Sequence, residues 1–431
     1  MGLAQWSDIL PAMMPPTWIR FLLGLTAIAL FSCSTDRAAD SPASLLPATR
    51  PVGSTATGPA TAPVEARITA GPWLQAPTAT SVTLVWTTSV PCVSKVSFGT
   101  SPQELAETAV SAHHGLLDAN TTLHRVTLSG LKPGTRYYYR VESRHMMEFK
   151  PYKTTYGATL LSEIQSFVTL DPAKERYSFV ILNDRHEKAQ GIRQALASIR
   201  WEGVDLVFGN GDMLNDADGE KRVINNLVNP VVKAFASRIP FVFVRGNHET
   251  RGAFARSHLD YFPTPTGKFY YSFDHGPVHF LILDGGEDKP DASEEYSGLN
   301  AFEPYMLAQT EWLRNELASE AFRKAGYRVC LLHIPPGDHD KDPVKWMKQT
   351  WLRKNWNPLL NAAGLDVMFS GHTHKYEEVP PGKADNAFPI VIGGIDTVIR
   401  VDVGPERLEI TTCNNDGSVK SRPAPVARKD R

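Results

Sequence analysis

A β-sandwich followed by an α/β layered domain is what the sequence predicts, and three observations predict it. Residues 67–170 carry short runs of alternating polarity: Val82, Leu84 and Trp86 share one face of residues 81–87, the period of a half-buried strand. From Tyr177 onward, continuous apolar runs alternate with helix-period segments, as when strands are covered on both faces. The 431 residues are 42% hydrophobic and include 9 Trp, 13 Tyr and 19 Phe, enough for more than one packed core and incompatible with a disordered chain. The 45 basic and 46 acidic residues leave a net charge of −1, so there is no nucleic-acid-binding signal. Four cysteines without a CxxC spacing exclude a disulfide-framed scaffold and a zinc knuckle.

The elements follow in chain order. Residues 18–31 (WIRFLLGLTAIALF) form an apolar run with about 11 uninterrupted apolar or small residues, too short to span a bilayer and suited to a signal-peptide core. Residues 30–33 (LFSC) resemble a bacterial lipobox. Residues 1–33 are therefore expected to be a signal peptide with Cys33 as a lipidated N-terminus, giving an exported periplasmic or outer-membrane lipoprotein, or a secreted protein. Residues 1–12 hold Asp8 and no basic residue, so a start at Met13 or Met14 gives a more ordinary signal. Residues 34–66, rich in Ser, Thr, Ala and Pro, bury too little apolar area to fold and are expected to be a disordered linker, a tether between membrane and folded part. Residues 93–98 and 124–128 repeat the strand alternation, Pro133 and Gly134 mark a turn, and Tyr137, Tyr139 and Val141 share a strand face. The run at 126–141 (VTLSGLKPGTRYYYRV) resembles a fibronectin type III domain, close to the version that opens purple acid phosphatases. Helix-period segments are expected at 190–200 and 310–319, and residues 413–431 at the basic C-terminus are expected to be a flexible tail.

The chemistry lies where the strands end. Residues 177–182 (YSFVIL) run into Asn183-Asp184-Arg185-His186, and 204–208 (VDLVF) into Gly209-Asn210-Gly211-Asp212. Residues 240–244 (PFVFV) run into Arg245-Gly246-Asn247-His248-Glu249. Residues 329–332 (VCLL) meet His333, and 367–369 (VMF) meet Ser370-Gly371-His372-Thr373-His374. Sites in open α/β sheets assemble at the carboxyl ends of strands, and five strands ending in Asp, Asn or His point to a two-metal centre. Such a centre needs a bridging carboxylate flanked by imidazoles and oxygen donors. The spacings Asp184-x-His186 and His372-x-His374 put both side chains of each pair on one face of an extended segment.

These motifs, in this order over residues 177–412, resemble those of calcineurin-like metallophosphoesterases. The resemblance implies an α/β/β/α sandwich. It implies one divalent ion held by Asp184, His186, Asp212 and His374, and a second by Asp212, Asn247, His333 and His372, with Asp212 bridging and His248 as the acid beside the leaving group. The ions would be Mn, Zn or Fe. Purple acid phosphatases use a Tyr where Asn215 stands and lack the His of DxH, present as His186, so no tyrosinate colour is expected. The implied activity is hydrolysis of phosphate monoesters by metal-generated hydroxide. The alternatives are a phosphodiesterase or nucleotidase using the same site, or a metal-containing cell-surface binding protein. Arg185 and Arg245 are candidates for gripping a phosphate oxygen, or else salt-bridged arginines. His339 is weighed as a pocket-wall residue, and the acidic stretch 285–300 as a lid or a solvated loop.

Overall fold

The structure, a computed structural model, describes residues 65–337 and 347–429. The expected signal peptide with Cys33, nearly all of the expected linker, and His339 lie outside the described residues. No helix among the described residues is long and apolar enough to cross a membrane.

Residues 68–168 form a seven-stranded sheet domain. Its long strand Ser81–Gly99 changes partners midway. Residues 81–88 pair with Ile68–Gln75 and Thr121–Ser129, while residues 92–99 pair with Glu107–Ala109 and Arg136–Lys150. Val82, Leu84 and Trp86 point into the domain's own core with Tyr137, Tyr139 and Phe167. The opposite face is not solvated, as alternation alone implies: Val85 and Trp73 join the core of the following domain. The Trp73 indole donates to Tyr261 O (2.9 Å), Gln75 to Phe241 O (2.7 Å) and the Tyr139 hydroxyl to Ser237 O (2.7 Å), so the two parts share a hydrogen-bonded seam.

From Tyr177 two sheets stack face to face. The first has strands in the order Phe241–Val244, Val204–Asn210, Tyr177–Leu182, Thr397–Val403, Arg407–Asn414 and Val419–Ser421. The second runs Tyr271–His275, Val278–Leu283, Tyr327–Leu332, Val367–Ser370, Ile390–Ile392 and Glu377–Val379. Alternation along Tyr177–Leu182 explains the layering. Phe179 and Ile181 face the second sheet and pack among Phe208, Phe280 and Phe369, whereas Val180 and Leu182 face helix Ala189–Ser198 and its neighbours. The outer face of the second sheet does the same through Cys330 and Leu332 against Met306, Leu313 and Trp356. Sites at the parallel strands' carboxyl ends therefore gather at one edge of this two-sheet stack.

Two expectations need correction. The second helix spans Phe302–Leu317, eight residues earlier than its periodicity suggested, because Asp291 caps it from a distance by accepting from the Phe302 and Glu303 amides (2.8 Å each). Residues 413–431 are not a loose tail up to residue 427. Val419–Ser421 and Val426–Ala427 pair with Arg407–Asn414, so residue 412 falls within a strand. Prolines 423 and 425 break this run into two short edge strands, where a missing amide is tolerated, and buried Val426 joins the inter-sheet core.

Candidate metal centre

Two groups of side chains converge at the strand ends, and they share Asp212. Asp184, His186, Asp212 and His374 form one, with ligand atoms all within 4.8 Å of one another; Asp212, His333 and His372 form the other by the same measure. The His186 and His374 Nε2 atoms lie 2.8 Å apart, and the His374 Nε2 is 3.7 Å from Asp184. The His333 Nε2 is 3.1 Å from Asp212, and the His372 Nδ1 is 3.0 Å from the Asn247 side-chain oxygen. All seven residues named from the sequence as metal ligands are thus in one place.

The local backbone explains how. Asp184, His186, Asp212, His372 and His374 all have φ between 43° and 72°, a left-handed conformation that non-glycine residues adopt at a cost and that concentrates at functional sites. The three strands that end at 182, 210 and 370 thus run into a sharp reversal that turns the following side chains into the shared space, whereas Asn247 is right-handed. Gly211 is required by its φ of 81°, and by the His333 ring, which a Cβ there would strike. At Gly246 a Cβ would strike the Asp212 amide and carboxylate.

Charge and tautomer fit a cation. The His333 Nδ1 faces the Asn210 carbonyl (2.8 Å), which only accepts, so Nδ1 carries a proton and Nε2 faces the Asp212 carboxylate. That fully buried Nε2 has no well-aligned hydrogen-bond partner. Burial alone would raise Asp212 and lower His333; their mutual attraction reverses both, holding Asp212 below the usual carboxylate range and His333 at about 10, so the positive charge beside Asp212 is a proton on His333 that a bound cation would replace. Burial pushes Asp184 up to about 7, and lowers His186 to about 4 and His372 to about 3, leaving those imidazoles neutral with lone pairs to donate. An all-N/O donor set with a shared carboxylate suits two divalent ions of the Mn, Zn or Fe(II) kind.

His248 sits at the rim of this cluster. Its Nδ1–H donates to the Asn215 carbonyl (2.6 Å), its amide donates to Asp212 Oδ1 (3.0 Å), and its Nε2 lies 3.9 Å from Asp212 Oδ2. Asn215 thus contributes its backbone oxygen to the ring that faces the site.

Neither arginine singled out from the sequence reaches the cluster. Arg185 is buried and donates to the carbonyls of Ile395 and Thr397 and to Asn415, tying its strand end to that turn. Arg245 pairs with buried Asp284 and lies over the Phe269 ring at 3.9 Å. A cation placed beside ligand motifs reads alike whether it faces substrate or protein, and both face protein.

Sequence reasoning missed Glu249. Its buried carboxylate accepts from the amides of Asp212 (2.8 Å), Gly246 (2.9 Å) and Leu214 (3.0 Å), bracing the turn that carries Asp212. It also missed the Arg251–Glu287 pair. The Arg251 guanidinium reaches the His248 Nε2 (3.1 Å) and binds Glu287 (2.8 Å), whose carboxylate also accepts from Thr250 and Tyr296. Glu287 belongs to the acidic 285–300 stretch, which is anchored beside the site rather than solvated throughout.

The geometry agrees with comparisons to known proteins. Residues 177–376 match the calcineurin-like phosphoesterase family, and residues 72–169 match the purple acid phosphatase N-terminal domain. Purple acid phosphatase 21 of Arabidopsis thaliana is 26% identical over 285 residues, covering 63% of this chain and 57% of its own length. Acid phosphatase type 7 of Homo sapiens is 24% identical over 322 residues, covering 70% and 68%. The chain thus spans little more than half of the Arabidopsis relative. Purple acid phosphatase PPD1 from yellow lupin shares the fold with a TM-score of 0.61 at 17% identity, over 84% of this chain and 74% of the lupin chain. The structure of PhoD does so with a TM-score of 0.59 at 15% identity, over 83% and 90%. The chain joins a purple acid phosphatase N-terminal domain to a calcineurin-like metallophosphoesterase domain.

Proposed function

We propose that this protein hydrolyses phosphate monoesters at a dinuclear divalent-metal centre. The observation that carries this is the single buried carboxylate, Asp212, shared by two convergent ligand groups. Asp184, His186, Asp212 and His374 would hold one ion, and Asp212, Asn247, His333 and His372 the other. Two such ions supply positive charge for the phosphoryl oxygens and lower the pKa of water to give a nucleophile near neutral pH. His248, fixed by the Asn215 carbonyl, presents Nε2 at the rim beside the Arg251 guanidinium, and would pass a proton to the departing oxygen once Nε2 carries one in place of that contact. Glu249 keeps the Asp212 turn rigid, so the donors need not reorganise during reaction. The names of the relatives, acid phosphatases, support monoesters over diesters. The fibronectin-like reading of the sheet domain is supported by the change of partners along Ser81–Gly99. Export, with membrane attachment at Cys33, is supported by the sequence of residues 18–33.

Metal-stripped protein refilled with Mn, Zn or Fe and offered 4-nitrophenyl phosphate and bis(4-nitrophenyl) phosphate tests this. Metal-restored turnover with preference for the monoester is expected. Preference for the diester moves the function to a phosphodiesterase. No turnover on either ester, with two ions still bound, favours the metal-containing surface protein.

A further inference from the structure

We propose that the cavity beside His248 receives the leaving group of the ester, and that Arg256 selects leaving groups carrying an anionic group. This rests on the phosphoesterase function above and goes further by assigning a pocket and a substrate class.

Residues 250–253 and Arg256, which follow His248 and Glu249, form one wall of a cavity of about 850 Å³, while residues drawn from 287–300, among them Glu287, Lys289, Tyr296 and Leu299, form the other. Arg251 joins the walls. Its guanidinium contacts the His248 Nε2 and is held by Glu287 across the gap, with Thr250 and Tyr296 on the same carboxylate. Arg251 lines the cavity and touches the imidazole that faces the departing oxygen, so the cavity lies one guanidinium beyond His248, on the side where the rest of the alcohol must go. Within it, charges largely cancel: Arg251 pairs with Glu287, and Lys289 pairs with Glu295 (2.8 Å). Arg256 is different. It is exposed, lines both this cavity and the adjoining one walled by Phe269 and Phe302, and makes no hydrogen bond or ion pair among the described residues. Leu299 also lines both and is 71% exposed, an apolar surface for the body of a ligand. An uncompensated guanidinium next to an apolar wall fits a leaving group with a carbon body and a carboxylate or second phosphate, which a guanidinium grips in bidentate fashion.

Two esters of one shape separate the charge effect: 4-carboxyphenyl phosphate and 4-carbamoylphenyl phosphate, assayed on the metal-loaded full chain. For the wild type, kcat/KM should favour the charged ester, chiefly through KM. Arg256→Ala should lower the charged-to-neutral ratio of kcat/KM about tenfold, the worth of one charge-assisted hydrogen bond, and Arg256→Lys should restore part of it. The ratio should fall with added salt in the wild type and stay flat in Arg256→Ala. Turnover of both esters with a ratio unmoved by Arg256→Ala overturns the pocket assignment and leaves the phosphoesterase function standing. Absence of turnover on both esters in the metal-loaded wild type overturns that function, and the pocket assignment with it.

Discussion

Glu249 offers the sharpest test of how the site is held. Its Oε2 accepts from the Asp212 and Gly246 amides at 2.8 and 2.9 Å, and its Oε1 from Leu214 at 3.0 Å, all in a fully buried setting. Glu249→Gln keeps the shape but has one oxygen, so at least one amide donor is set against an –NH2 group. An orphaned buried donor costs about 1–3 kcal/mol. Glu249→Ala orphans three donors and leaves a void, for roughly 3–6 kcal/mol, a large share of an ordinary protein's total stability. Because the same carboxylate braces the Asp212 turn, Gln should also weaken metal binding about ten- to a hundredfold, as lost support around ligands does. Urea unfolding of the metal-free variants measures the first effect, and calorimetric Mn titration of the Gln variant measures the second. A wild-type midpoint for Ala together with wild-type Mn affinity for Gln would refute the bracing role.

Other consequences are as specific. Arg185→Ala leaves two carbonyls and Asn415 without their donor and should destabilise the protein by about 2–4 kcal/mol; wild-type stability with a raised KM would return Arg185 to the substrate. Burial opposes charge on His279, but Asp274 (2.6 Å) and Glu316 (3.1 Å) outweigh it and raise its pKa. Its contribution is thus complete below its ordinary value of about 6.5 and lost as pH rises through the raised folded value. Denaturant midpoints should fall over that window in the wild type, and the fall should shrink in His279→Gln. Since Asn215 offers only its carbonyl to His248, iron-loaded protein should lack a tyrosinate charge-transfer band, and a strong visible band would contradict this.

Much of the fold was legible because burial on both faces leaves an unmistakable apolar run, as in residues 177–182 and 329–332. Strands such as Tyr271–His275, with Ser272, Asp274 and His275 in it, carry no such run and emerge only through pairing with Val278–Leu283. The residues proposed as metal ligands were legible because five strands end in donor side chains, which no packing requirement asks for. What surrounds them was not. Glu249 stood in plain view after His248, yet its role depends on amides brought from residues 212, 214 and 246. The partners of Arg185 lie 210 and more positions away, and the carboxylate partners of Arg245 and Arg251 some 36 to 39 away, distances over which sequence proximity says nothing.

The central claim is a two-ion centre that shares Asp212. Equilibrium titration of metal-stripped protein with Mn, followed by ion counting per chain in wild type and Asp212→Asn, tests it most directly. Two ions are expected in the wild type, with both weakened and turnover lost in the variant. One ion in the wild type, or two tightly held ions in Asp212→Asn, would contradict it.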